Sequence, residues 1–286
     1  MKSLFCLLAC GYLVALIGCA ALPDGISGYT PLKQIAPEDW VVRRAANITP
    51  PLMMGYAPFH DSAAPYLVVY IEGDGRAWLS RNRPAQDPTP GNPVGLKLAS
   101  VTPADFDTAY IGRPCQFIEP DMAGCDQRLW TSHRYSPEIV EAMSRGIDQI
   151  KQREERPIVL VGYSGGGVIA ALLATKRSDV LGFITVAANM DTSHWTSLHR
   201  VSPLEGSEDP LVYGDQLRQI PQVHFVGGLD KTVPVSVVES YLQSIGLSAS
   251  EVLVPIAEYD HGCCWEQDWQ QHFLTALTML DLYPIK

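Results

Sequence analysis

Residues 159–171 constrain this chain more than any other stretch. The apolar run Val159-Leu160-Val161 meets the glycine-flanked serine of Gly162-Tyr163-Ser164-Gly165-Gly166. It passes at once into Gly167-Val168-Ile169-Ala170-Ala171, an apolar, alanine-containing helical pattern. Strand, tight turn and helix thus follow without a spacer. A turn this abrupt strains the serine backbone, so the residues two before and two after it must lack bulk. The result is a hydroxyl held out at a sheet's edge, beside the backbone N–H groups of a helix start. A serine becomes a nucleophile only when a base takes its proton and fixed donors stabilise the oxyanion. Those partners must come from elsewhere in the chain.

Strand and helix patterns alternate on both sides of this corner. Residues 66–71 form an unbroken apolar run, as a strand buried on both faces requires, and stop at the glycine turn Glu72-Gly73-Asp74-Gly75. Weaker strand patterns at 40–43 and 52–56 are split by Pro50-Pro51. Residues 82–93, rich in Pro, Asp and Gly, read as a surface loop ahead of a helix at 94–100. A short strand at 106–112 leads into a long loop holding Cys115, Cys125, Trp130 and His133. Ser136-Pro137-Glu138 starts a helix: a capping side chain, Pro at the first position, a carboxylate near the positive end. Ile139, Met143, Ile147 and Ile150 mark its apolar face. Beyond the corner lie a strand at 180–188 and a stretch at 192–221 of weak periodicity, expected to form a small cap. A strand at 223–228, a helix at 234–245, a strand at 252–256 and a helix at 267–280 complete the pattern. Strands alternating with helices long enough for crossovers predict an α/β chain. Its sheet is doubly wound and mostly parallel, with helices on both faces.

Three polar residues stand at the ends of successive strands: Ser164, Asp230 and His261. Ligands of open α/β sheets bind outside the carboxyl ends of strands, so such residues converge there. Asp191 also ends a strand and competes as the acid; Asp230 is favoured by its place in the chain order. The residues resemble the α/β-hydrolase superfamily. Gly162-Tyr163-Ser164-Gly165-Gly166 matches the nucleophile elbow, Gly228-Leu229-Asp230 with Val233-Pro234 the acid loop, and Asp260-His261-Gly262 the histidine loop. The resemblance covers about residues 66–281. It implies an α/β-hydrolase fold in which Ser164 attacks an acyl carbon, His261 moves the proton and Asp230 fixes the imidazole. It also implies an oxyanion hole from the N–H of Gly165 and that of Asp74 or Gly75. Glu72 stands where many lipases carry a histidine, a departure that touches the oxyanion loop and not the triad.

Composition sets the remaining limits. The chain has 286 residues, 47% hydrophobic and 18% charged, which suits one sizeable domain, placed at 37–286. A net charge of -10 excludes the basic footprint of a nucleic-acid binder. Lys2 precedes an apolar run at 4–17, too short to span a bilayer, that ends in Leu16-Ile17-Gly18-Cys19. This resembles the lipobox of bacterial lipoproteins. The resemblance implies a signal peptide over 1–18, a lipidated Cys19, a tether over 19–36, and a membrane-anchored domain in the cell envelope, with the outer membrane as its address. Four cysteines remain for the exported domain: Cys115, Cys125, Cys263 and Cys264. Cys115 with Cys125 closes a short loop; Cys263 and Cys264 then form a vicinal pair or cross to the other two. No metal-ligand spacing is present, so neither metal nor cofactor is expected. The expectation is a serine hydrolase acting on an ester-like bond of a small-molecule or lipid-like acyl substrate. The alternative is an inactive hydrolase fold retained as an envelope binding module.

Overall fold

The structure, a computed structural model, describes residues 31–59, 65–119, 122–151 and 155–284. The expected signal peptide over 1–18, Cys19 and the tether up to residue 30 lie outside them. The remainder of that tether is not free. Helix α1 (Leu32–Ile35) packs on the domain through a fully buried Leu32, so the packed chain begins ahead of residue 37.

The described residues form ten strands, most of them from the apolar runs: β1 (Val41–Arg44), β2 (Met53–Tyr56), β3 (Leu67–Ile71), β4 (Trp78–Ser80), β5 (Arg83–Pro84), β6 (Thr108–Ile111), β7 (Ile158–Tyr163), β8 (Val180–Val186), β9 (Gln222–Gly227) and β10 (Leu253–Ile256). Eight of them form one sheet in the order β1-β2-β6-β3-β7-β8-β9-β10. The pairs from β6 through β10 are parallel, and β2 runs antiparallel to both β1 and β6. β4 and β5 pair as a separate hairpin, so the expected surface loop at 82–93 begins as a strand partner.

The helices are α2 (Val94–Ser100), α3 (Pro137–Ile150), α4 (Gly165–Lys176), α5 (Thr192–His199), α6 (Gly214–Leu217), α7 (Val235–Ile245), α8 (Ala249–Val252) and α9 (Trp269–Met279). Period-2 alternation sorts each central strand between two cores. Leu67, Val69 and Ile71 of β3 join Ile139 of α3, Val168 of α4 and Val238 of α7 on one face. Val68 and Tyr70 join Leu96 of α2 and Phe273 of α9 on the other. α3 starts as its sequence dictates, with Pro137 at its first turn and the Ser136 hydroxyl accepting the Ile139 N–H at 3.4 Å. From β3 the chain reaches β6 on one side through α2, then returns past β3 to β7 through α3 on the opposite face. That reversal leaves a crevice at the carboxyl ends of β3 and β7. Ser164 and the 72–75 turn both sit there.

His224 of β9 shows what the core demands of a polar group. It is fully buried; its Nδ1 pairs with the Thr185 hydroxyl at 2.8 Å and its Nε2 with Gln222 Oε1 at 3.0 Å. The amide oxygen only accepts, which puts the proton on Nε2 of a neutral ring. Burial lowers its pKa from 6.5 to about 3. Between those values the unfolded chain binds a proton that the folded one refuses, so stability falls as pH falls through the window, by about 1.4 kcal/mol per unit. Urea midpoints measured from pH 7 down to 4 are expected to drop more steeply for the native sequence than for His224→Gln. Equal slopes would refute this account.

Candidate active site

The strand β7 ends at Tyr163 and α4 begins at Gly165, which leaves Ser164 alone to make the turn. Its backbone stands at φ 49 and ψ -123, a region that residues with a Cβ seldom occupy. Two hydrogen bonds hold it there: the Ser164 N–H donates to Val186 O at 2.8 Å, and its carbonyl accepts the Gly167 N–H at 2.9 Å. Close packing explains the glycines. A Cβ on Gly166 would lie 2.3 Å from the Ile71 carbonyl oxygen, and one on Gly162 would lie 2.3 Å from that of Gly166. The helix can start directly on the sheet only because neither atom exists.

Ser164, His261 and Asp230 lie in one hydrogen-bonded chain. Ser164 Oγ is 3.1 Å from His261 Nε2, and His261 Nδ1 is 2.8 Å from Asp230 Oδ2. The carboxylate only accepts, so Nδ1 carries the proton and Nε2 faces the hydroxyl with a lone pair. Asp230 follows β9, and its side chain is fully buried; its other oxygen accepts the N–H groups of Thr232 and Val233, both at 2.8 Å. His261 follows β10 on a tightly braced loop. Asp260 Oδ1 accepts the N–H groups of Gly262 and Cys263, while Tyr163 Oη and Trp265 Nε1 donate to the His261 carbonyl. Asp191 stands elsewhere: it caps α5 by accepting the His194 N–H and takes a hydrogen bond from Ser240.

The turn after β3 lies against this elbow. A Cβ on Gly73 would lie 3.2 Å from that of Ser164. Gly165 opens α4, where its N–H has no carbonyl one turn earlier to meet. Among the described residues the N–H groups of Asp74 and Gly75 also donate to no protein acceptor. Glu72, in the place of a lipase histidine, is buried and turned toward the start of α2. It accepts the N–H groups of Gly73, Gly95 and Leu96 and the Tyr110 hydroxyl, tying the turn to the start of α2. Burial raises its pKa despite these donors.

Asp74 faces the opposite way, into a cluster that the sequence did not reveal. Its carboxylate accepts Arg113 Nη1 at 2.9 Å, Arg134 Nη1 at 2.8 Å and the Tyr135 hydroxyl at 2.9 Å. Burial alone would raise this carboxyl; the guanidiniums of Arg134 and Arg113 outweigh it and hold the group below its ordinary value. Gln116 Nε2 donates to the Gly73 carbonyl at 2.9 Å. The Cys115–Cys125 disulfide closes the loop that carries Gln116, and Cys263 is bonded to Cys264 just beyond His261. The one sequence signal for the cluster is the strand-end position of Arg113, two residues past β6.

These elements frame a cleft of about 510 Å³ in which Ser164 and His261 meet Arg134, Asn189, Trp78 and Trp195. Residues 192–221 contribute α5 as one wall. Trp195 Nε1 and His199 Nε2 both donate to the Thr232 carbonyl at 2.8 Å, which fastens that wall to the loop of Asp230.

No protein-family model matches the sequence, and no curated protein does. Solved structures do. An esterase from Pyrococcus furiosus aligns over 85% of this chain and 91% of its own, with 11% identity and a TM-score of 0.54. An alpha-beta serine hydrolase homologue from Coxiella burnetii aligns over 85% and 96%, with 15% identity and a TM-score of 0.52. An acylaminoacyl peptidase from Pyrococcus horikoshii aligns over 85% of this chain but 41% of its own, with 13% identity and a TM-score of 0.56. Sheet, crossovers and neighbours agree: this is an α/β-hydrolase fold. Identities this low speak to fold alone, and a fold does not carry an activity with it.

The backbone at Ser164 has a measurable cost. Glycine adopts such angles without the Cβ conflict, so Ser164→Gly is expected to stabilise the protein by about 1 kcal/mol, a part of the usual cost of such a conformation. Thermal melts would test this. An unchanged or lower melting temperature would show that the turn is not strained.

Proposed function

We propose that this protein is a serine hydrolase that cleaves an ester-like bond through an acyl-enzyme on Ser164. The observation that carries this reading is the hydrogen-bonded order Ser164 Oγ, His261 Nε2, His261 Nδ1, Asp230 Oδ2, standing in an open cleft. Ser164 Oγ attacks the acyl carbon as its proton passes to His261 Nε2. Asp230 holds the imidazole in the required tautomer and stabilises its charged form. The negative oxygen of the tetrahedral intermediate is met by the N–H of Gly165 and that of Asp74 or Gly75. Collapse breaks the bond to the leaving group, which takes the proton from His261. Water then repeats the sequence on the acyl-enzyme, and Ser164 recovers its proton. A carboxylic ester is the substrate the reading favours; thioesters and amides pass through the same intermediate.

A fluorophosphonate probe tests the reading directly. The purified domain is expected to form an adduct on Ser164, located by mass spectrometry and absent from Ser164→Ala. Hydrolysis of p-nitrophenyl esters by that variant is expected to fall by about 10⁴-fold or more. A folded protein that takes no adduct would sink the proposal.

We infer further that the chain is exported and lipid-anchored through Cys19. The support is the basic residue and apolar run that lead to Leu16-Ile17-Gly18-Cys19. Expressed in a bacterium, the native sequence should partition into the detergent phase and Cys19→Ala into the aqueous one. Identical partitioning would exclude the anchor.

A further inference from the structure

Two guanidiniums surround one carboxylate at the floor of the cleft. Arg113 and Arg134 each bring a full charge to Asp74, and one would suffice to neutralise it. The two arginines spend the remainder differently. Arg113 faces inward: its Nη2 donates to the Arg134 carbonyl, and its guanidinium lies 5.4 Å from the centre of the Tyr135 ring. Arg134 borders the cleft beside Ser164 and His261. Its Nε donates to the Thr131 carbonyl at 2.7 Å and its Nη1 to Asp74, while its Nη2 has no protein acceptor among the described residues. The side chain is nevertheless only 7% exposed. That Nη2 edge keeps contact with the cleft, where an arriving anionic oxygen would exchange water for a charge-assisted hydrogen bond.

The other charged groups of the cleft do not supply that anion. Glu72 is occupied by three N–H groups and the Tyr110 hydroxyl, Asp74 by its two arginines and Tyr135. Arg76, the remaining charged side chain on the lining, is also a cation. Around Asp74 the two arginines leave one positive charge in excess, on a chain with a net charge of -10. Asp74 itself is pressed against the start of α4, since a Cβ on Gly165 would lie 2.0 Å from its Oδ1. The same ion pair therefore anchors the oxyanion turn and aims Arg134.

We propose that Arg134 determines specificity by binding a carboxylate carried by the acyl substrate, so that the preferred substrates are half-esters of dicarboxylic acids or similar anionic esters. This rests on the hydrolase reading above and adds the substrate class to it. The carboxylate receives a hydrogen bond from Arg134 Nη2 while the ester carbonyl meets Ser164.

The test compares p-nitrophenyl hydrogen succinate with p-nitrophenyl butyrate, esters of equal chain length and different charge. The native protein is expected to favour the anionic ester in kcat/KM by about tenfold or more, the worth of one hydrogen bond to a charged group. In Arg134→Gln the ratio of the two kcat/KM values is expected to collapse toward one, mainly through KM. Arg134→Lys should restore part of it, and added salt should lower it in the native protein and the lysine variant but not in Arg134→Gln. No native preference for the anionic ester, or an unchanged ratio in a folded Arg134→Gln, would overturn the proposal. If Arg134→Gln does not fold, the native ratio and the lysine variant decide. If neither ester is hydrolysed and no fluorophosphonate adduct forms, it is the hydrolase reading that fails. Arg134 is then judged by thermal shift of Ser164→Ala with monomethyl succinate: stabilisation that is absent with methyl butyrate supports the site, and none removes it.

Discussion

The chain must pass from strand to helix within one residue, and most of what surrounds Ser164 follows from that requirement. A helix that begins on the sheet itself has no room for side chains at the crossing, hence glycine at 162 and 166. α4 then lies on the sheet with α3 and α6 packed over it, which explains why it is apolar all round and buried from Gly165 to Ala174. Contact with the Ile71 carbonyl brings the end of β3 alongside, and the turn at 72–75 inherits its position from that contact. The serine, the free N–H groups and the cleft are consequences of one backbone geometry.

The turn beside the serine is held by two carboxylates that face opposite ways. Glu72 looks back to the start of α2 and is raised by burial; Asp74 looks across to α4 and is lowered by its arginines. Neighbouring loop residues are thus pulled toward opposite sides of the crevice, and the peptide between them has little freedom left. A rigid turn is what an oxyanion donor requires, because a donor that must reorganise during the reaction contributes less.

How much of this could be read from the sequence depended on how local each signal was. The strands, the main helices and the elbow were legible because periodicity, capping and glycine placement act within a few residues, as Ser136 with Pro137 and Gly162 with Gly166 show. Ser164, Asp230 and His261 were found as strand-end residues, although nothing in the sequence fixed the distances between them. The cluster around Asp74 was illegible, since its ion pairs join residues 39 and 60 positions apart and leave no pattern along the chain. The small hairpin of β4 and β5 was hidden among turn residues, being only three and two residues long. Leu32 gave no warning either: a lone leucine beside a proline looks like a tether until a core closes over it.

The order in which the site acquires its parts is written into the sheet. The hydroxyl comes from β7 near its middle, the carboxylate from beyond β9, and the imidazole from beyond β10, an edge strand with one neighbour. The imidazole is therefore the last of the three to be synthesised, and it hangs on a strand paired along one side only. A chain still emerging from the ribosome, or one stripped of that edge, carries an ordinary alcohol. Until that edge is in place, the Ser164 hydroxyl has no ring nitrogen to accept its proton.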